Sequence, residues 1–385
     1  MSDGASEDDD HIAGVLSGAV DERLIPGVAA AITSSDRTVY STAFGVGQRS
    51  RGVALGPHSV FRVASMTKLV TSIAVLMLVD EGRIDLEAPL TEYLPSYEQP
   101  GVLEHFEPGS GTYMTRQATT AITIRHLLTH TSGYGYWFLD PRLMQLTDPN
   151  RPDLFNAPFL INDPGTRFAY GTSTDVLGSV IGPVSGMSLA EFFARRIFRP
   201  LGMRDTGFER PTDPNRLSSV YVRTEQGFDE EPIETSGPAP RGGGGLYSTA
   251  EDYLKLLRML LNAGAHQGQR LLSPERCAAL GQNQIGQLVA ERQTTAMRSR
   301  TNDFLFMDGT QKFGFGVAIE TEGKPTGRPA GSFAWAGILN TYFWVDPVNE
   351  FAAVILMQLR PFCDPSCLDV YRRFERALYD YVEEV

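Results

Sequence analysis

The chain has 385 residues, of which 42% are hydrophobic and 21% charged, a composition that suits a globular protein with a substantial core. Its 46 acidic residues outnumber 34 basic ones for a net charge of −12, and the arginines are scattered rather than arranged in a stripe. That balance argues against nucleic acid and anionic membrane surfaces as partners and leaves a small molecule as the expected one.

Residues 1–10 are acidic and polar and read as a flexible lead, the reverse of a signal peptide's basic and then apolar order. Residues 11–25 form an expected helix, with Ile12, Val15, Leu16 and Val20 at helical spacing. Two strands follow at 28–33 and 39–44, joined by turn-type residues at 34–37. An apolar run at 69–79 reads as a helix that stops at Gly82, a residue suited to the left-handed C′ position. It is too short to span a bilayer. From 86 to 234 helical segments such as 189–197 alternate with irregular loops around Pro108-Gly109 and Asp163-Pro164-Gly165. The run Gly242–Gly245 marks a tight turn; it lacks the Lys-Ser/Thr ending of a phosphate loop. Thr249 is the expected N-cap of the next helix, whose buried face carries Leu254, Leu257, Leu260 and Leu261. Strands return at 314–319, 331–337, 341–345 and 351–357, followed by an amphipathic helix at 368–382.

This layout implies one α/β domain built from 11–85 and 235–385, with a helical domain, 86–234, inserted between them. The start of the 69–79 helix lies where the chain leaves the sheet, which is a cleft position. Three cysteines, Cys277, Cys363 and Cys367, are too few for a disulfide framework and suit a reducing cytoplasm. Cys363 and Cys367 lack a second Cys/His pair, and His126 and His130 lack the glutamate of H-E-x-x-H. No metal and no other cofactor is therefore expected.

The chemistry concentrates at Ser65-Met66-Thr67-Lys68. Only four lysines occur in the chain, and only Lys68 has a serine three residues before it. Residues three apart share a helix face, so the amine can stand beside Oγ as the base that a hydroxyl nucleophile requires. Exposed N–H groups at a helix start favour an oxyanion and, by the same field, should lower the ammonium's pKa. Serine is also a favoured N-cap, so the tetrapeptide by itself leaves a capping role open. A lysine in the first turn opposes the helix dipole, however, where Asp or Glu would be expected.

Several blocks together carry a more specific signal: Phe61-Arg62-Val63-Ala64-Ser65-Met66-Thr67-Lys68, Leu127-Leu128-Thr129-His130-Thr131-Ser132-Gly133, Pro200-Leu201-Gly202-Met203 and Gly243-Gly244-Gly245-Leu246-Tyr247-Ser248-Thr249-Ala250. In that order they resemble the serine hydrolases with a β-lactamase fold, the group of class C β-lactamases, penicillin-binding proteins and family VIII carboxylesterases. Gly133-Tyr134-Gly135-Tyr136-Trp137-Phe138 is similar to the aromatic loop of the family VIII esterases. The resemblance implies an α/β plus α, β-lactamase-like fold: an antiparallel sheet flanked by terminal helices, with the helical domain inserted. It also implies an acyl-enzyme on Ser65 and a catalytic Tyr170, within Tyr170-Gly171-Thr172; whether Lys68 or Tyr170 is the acylation base stays open. For the family's third motif, Lys324-Pro325-Thr326-Gly327 has the right residue types but an inserted proline, which suits a turn better than a strand. Trp335-Ala336-Gly337 fits better. By that alignment the N–H groups of Ser65 and Ile338 form the oxyanion hole, and Gly337 lets substrate approach.

Trp335 cannot hold a β-lactam carboxylate as lysine or histidine would, and Thr172 replaces an asparagine. With Tyr134, Tyr136 and Trp137, this implies an aromatic pocket for neutral groups without a charged clamp from that motif. The implied function is a serine carboxylesterase for small, neutral, short-acyl esters. An acyltransferase on the same site, or a β-lactamase or D-amino-acid peptidase, is the alternative. No serine stands in G-x-S-x-G, so the α/β-hydrolase arrangement is excluded. A catalytically silent binding module is disfavoured, because Ser65, Lys68 and Tyr170 are all present. The oligomeric state is left open.

Overall fold

The computed structural model describes residues 7–147, 157–232 and 239–384. Of the expected flexible lead, residues 1–6 lie outside the described residues, whereas 7–10 are already helical. Five helices position the site: α1 (Glu7–Asp21), α2 (Thr67–Asp80), α3 (Ser173–Ser185), α4 (Ala250–Leu261) and α5 (Pro365–Glu384).

The main sheet has eight antiparallel strands: β1 (Gly27–Ser34), β2 (Thr38–Gln48), β3 (Val53–Ala54), β4 (Lys312–Phe313), β5 (Ala318–Ile319), β6 (Phe333–Gly337), β7 (Thr341–Asp346) and β8 (Phe351–Leu356). Their spatial order is 4-5-6-7-8-1-2-3. Inside the sheet β1 pairs with β8, with Ala29 opposite Leu356, so the two ends of the chain meet in one sheet. Of the expected strand over 314–319 only 318–319 is extended; 314–317 is the turn that joins β4 to β5, with Gly316 at a φ of 87°.

One face of the sheet carries α1 and α5. Phe374 packs edge-on to Trp344 with 5.7 Å between centroids, and the Tyr379 hydroxyl donates to Asp346 at 2.8 Å. The other face carries α4, capped by Thr249, which accepts from the Asp252 N–H at 3.1 Å. Tyr253 of α4 meets Phe343, the residue preceding Trp344, as alternation along β7 requires. The whole of α2 from Thr67 to Leu78 is buried. Its sequence is apolar nearly all round, and such a helix is stable only when packed on every side. Among the described residues no single helix is long and apolar enough to cross a membrane.

The segment 86–234 is less purely helical than its sequence pattern implies. It holds two hairpins, Val102–Phe106 with Tyr113–Arg116 and Tyr221–Thr224 with Gly227–Glu230. The Pro108-Gly109 stretch is the loop of the first, where Gly109 and Gly111 adopt φ of 96° and 72°. The second pairs in parallel with Leu359–Arg360, directly beyond β8. The chain thus rejoins the strand-bearing part of the molecule before residue 235.

Candidate active site

Ser65 sits in a short 3-10 turn, Ala64–Met66, that feeds into α2. Neither this turn nor α2 has a side-chain N-cap bond. The Ser65 oxygen instead accepts from Lys68 Nζ at 3.2 Å, so the capping role is excluded. The residue before it, Ala64, has a φ of 47°, an uncommon conformation for an L-residue and one that persists only where surrounding packing enforces it. The end of β6 supplies that packing. A Cβ on Gly337 would stand 2.4 Å from the Val63 carbonyl oxygen and 2.3 Å from Thr341 Oγ1. Glycine is required there for backbone to meet backbone rather than to admit substrate, as the motif alone suggests.

Lys68, one helical turn from Ser65, is fully buried. Its Nζ donates to Ser65 Oγ, to the Tyr136 hydroxyl at 3.0 Å and to the Gly243 carbonyl at 2.7 Å. Burial pulls the ammonium down, but Tyr136, Tyr170 and the Asp175 carboxylate outweigh it and hold Lys68 above the ordinary lysine value. This corrects the expectation that the helix start makes neutral lysine accessible.

Asp175 projects from α3. Its Oδ1 accepts the Gly243 N–H at 2.9 Å, and its Oδ2 lies 3.5 Å from the Tyr136 hydroxyl. A Cβ on Gly243 would fall 2.4 Å from that carboxylate, so only glycine passes between α2 and α3 here. The glycine run is a backbone strap that hands one carbonyl to Thr71 and the next to Lys68. Burial pushes the Tyr136 phenol above its ordinary range against the pull of Lys68, and Asp175 adds to the rise.

Tyr170 is buried beside this cluster. Its hydroxyl accepts the Trp335 Nε1–H at 3.3 Å, and its ring packs edge-on to Trp335 and Tyr136 with centroids 4.9 and 5.2 Å apart. Lys68 Nζ lies 5.1 Å from the centre of the Tyr170 ring, but its hydrogen bond goes to Tyr136. Ser65, Tyr136, Trp137, Tyr170, Trp335, Ala336 and Ile338 line one pocket, walled further by Phe304, Phe306 and Phe362.

Three residues expected in the pocket lie elsewhere. Tyr134 is on the far side of the aromatic loop from Tyr136, with its hydroxyl 2.5 Å from that of Tyr97. Thr172 faces a separate recess behind Trp137, next to Leu143. Gly337 is consumed by the packing described above. Lys324 lies apart from the pocket and pairs with Glu320 at 3.0 Å, beside the buried Arg328. His126 Nδ1 accepts the Thr123 N–H, and His130 Nδ1 accepts the Gly171 N–H at 3.4 Å, so the two rings do separate local jobs. Among the described residues no group of three or more His, Cys, Asp or Glu is placed to hold a metal.

The sequence pattern misses Asp175, Arg241 and Arg300. Asp175 stands five residues after Tyr170 on the same helix approach, which was a usable signal. Arg241 leads the glycine strap, while Arg300 enters from a loop with no motif. Both arginines line the pocket, so the picture of an aromatic site without a cation holds for the Trp335 position alone.

The beta-lactamase family matches residues 12–377 of the chain. ML-236A carboxylate methylbutanoyltransferase mlcH of Penicillium citrinum is 30% identical over 402 aligned residues, covering 95% of this chain and 93% of that protein. Esterase EstB of Burkholderia gladioli is 29% identical, covering 89% and 88%. Among solved structures, unliganded Simvastatin Synthase (LovD) from Aspergillus terreus superposes with a TM-score of 0.83 at 26% identity, over 99% of this chain and 100% of that one.

Proposed function

The chain belongs to the beta-lactamase family and is a serine hydrolase of that fold, and we propose that it acts as a carboxylesterase through an acyl-enzyme on Ser65. The observation that carries this reading is Trp335. It fills the third-motif position with an indole, donates to Tyr170 and forms one wall of an aromatic pocket. In the mechanism we infer, Tyr170 reacts as a phenolate and takes the Ser65 proton as Oγ attacks the ester carbonyl. The Lys68 ammonium holds Oγ in place and balances the phenolate's negative charge until the proton arrives. The N–H groups of Ser65 and Ile338 receive the oxyanion. The proton passes to the departing alcohol, and water then releases the acid. The group lying against the aromatic wall is small and neutral, a short acyl chain.

The test is turnover of 4-nitrophenyl esters of increasing chain length against a chromogenic cephalosporin, in the wild type and in Ser65→Ala. Ester cleavage should dominate, fall off with long chains and drop at least about a thousandfold in Ser65→Ala. Lys324→Ala should keep the wild-type rate. Strong cephalosporin turnover with negligible ester cleavage would sink the proposal.

A second reading is favoured by the acyltransferase relative and by the same apolar wall: an alcohol, rather than water, accepts the acyl group. It is checked by adding a hydrophobic alcohol and measuring how product divides between new ester and acid.

A further inference from the structure

Arg241 and Arg300 line the pocket of Ser65, yet the mechanism above uses neither. Each has a buried Nε with no hydrogen-bond acceptor. Among the described residues no carboxylate forms an ion pair with either guanidinium, whereas neighbouring Arg360 is paired with Glu231. Arg300 lies over two rings: its guanidinium carbon is 5.4 Å from the centroids of both Trp137 and Phe138. Arg241 folds back on its own strap, with Nη2 3.4 Å from where a Gly244 Cβ would stand. That same point is 3.8 Å from the carbonyl oxygen of Ala64, the residue before the nucleophile. Burial, then the like charges of Arg360 and Arg241, draw Arg300 below the ordinary arginine range.

A half-buried charge with unmet donors costs stability unless something compensates for it. Here two such charges face the space where substrate must sit. Guanidinium forks match a planar carboxylate with paired hydrogen bonds. We propose that Arg241 and Arg300 bind a carboxylate carried by the ester substrate, so that the enzyme prefers acidic esters over neutral ones of the same length. This rests on the esterase reading and deepens it: the part of the substrate against the aromatic wall is neutral, and its far end is charged. The carboxylate can belong to the acyl part or to the alcohol, and the experiment separates the two.

The measurement is kcat/KM for two matched pairs. The first is mono-4-nitrophenyl adipate against 4-nitrophenyl heptanoate, for a charge on the acyl side. The second is the butyrate ester of 4-hydroxybenzoate against that of 4-methylphenol, for a charge on the alcohol side. Spontaneous hydrolysis is subtracted. In the wild type one acidic ester should exceed its neutral partner, and that ratio should fall roughly ten- to hundredfold in Arg241→Gln and in Arg300→Gln. Added salt should shrink it as well. Neutral-ester turnover that depends on Ser65, with no acidic preference in either pair or with a preference that survives both substitutions, overturns this inference and leaves the esterase standing. If no ester is cleaved the esterase reading falls. The arginine site is then read from calorimetric binding of adipate to Ser65→Ala protein, which should be lost in the Arg241→Gln/Arg300→Gln double variant. Absence of binding to Ser65→Ala overturns it there too.

Discussion

Two phenols line the pocket of Ser65, and their surroundings differ. The Tyr136 oxygen accepts from Lys68 and lies 3.5 Å from Asp175, a carboxylate that favours keeping the phenolic proton in place. The Tyr170 oxygen accepts from Trp335, which leaves its other lone pair for an incoming proton. Tyr170→Phe should therefore lower kcat by about 10²- to 10⁴-fold, the usual contribution of a general base. Tyr136→Phe should cost closer to tenfold, by loosening Lys68 without removing the base. Steady-state kinetics on one short-chain ester decides it, and a larger loss for Tyr136→Phe would exchange the two roles. At this scale the Ser65–Lys68 contact was legible in the sequence because both residues sit on one helical turn. The Tyr136–Lys68 contact was not, since the partners are 68 residues apart.

Strand β6 and the serine turn meet through Gly337 with no room to spare. Gly337→Ala would drive a methyl group into the Val63 carbonyl and Thr341 Oγ1. Overpacking of this kind costs about 1–3 kcal/mol, to be read as a lower urea midpoint with an unchanged m value. Because the same contact fixes the end of β6, from which Ile338 reaches the pocket of Ser65, kcat should fall along with stability, and a variant with wild-type stability would refute the packing role. Most strands were readable from β-branched and aromatic runs between turn residues. The two hairpins in the middle segment were not, because their strands are short, partly exposed and interrupted by polar residues that break the alternation.

Stability of the whole molecule should depend on His130, which is buried between Tyr170 and Phe313 with its Nε2 3.3 Å from Thr174 Oγ1. Burial, and then the charge of Lys68, hold this imidazole well below 6.5. The unfolded chain takes up a proton near pH 6.5 and the folded one does not. The contribution is therefore complete above that pH and is lost as pH falls toward the folded value, at up to about 1.4 kcal/mol per pH unit. His126, also lowered by burial, adds in the same direction. Urea titrations between pH 6.5 and 5.5 should show this decline, with a slope shallower by about one proton in His130→Gln. An equal slope in that variant would assign the pH dependence elsewhere.

The sequence by itself determined the elements that depend on near neighbours: the buried helix behind Ser65, the strands that pair the chain ends, and the order of motifs shared with a family. Tertiary structure alone decided which phenol meets Lys68, that the surroundings of Lys68 raise its pKa rather than lower it, and that Arg241 and Arg300 enter an otherwise aromatic pocket. The physical reason lies in range. Periodicity is set within a few residues, whereas the carbonyl that receives Lys68 comes from 175 residues away. A charge state, moreover, is the sum of every group that packing brings within reach.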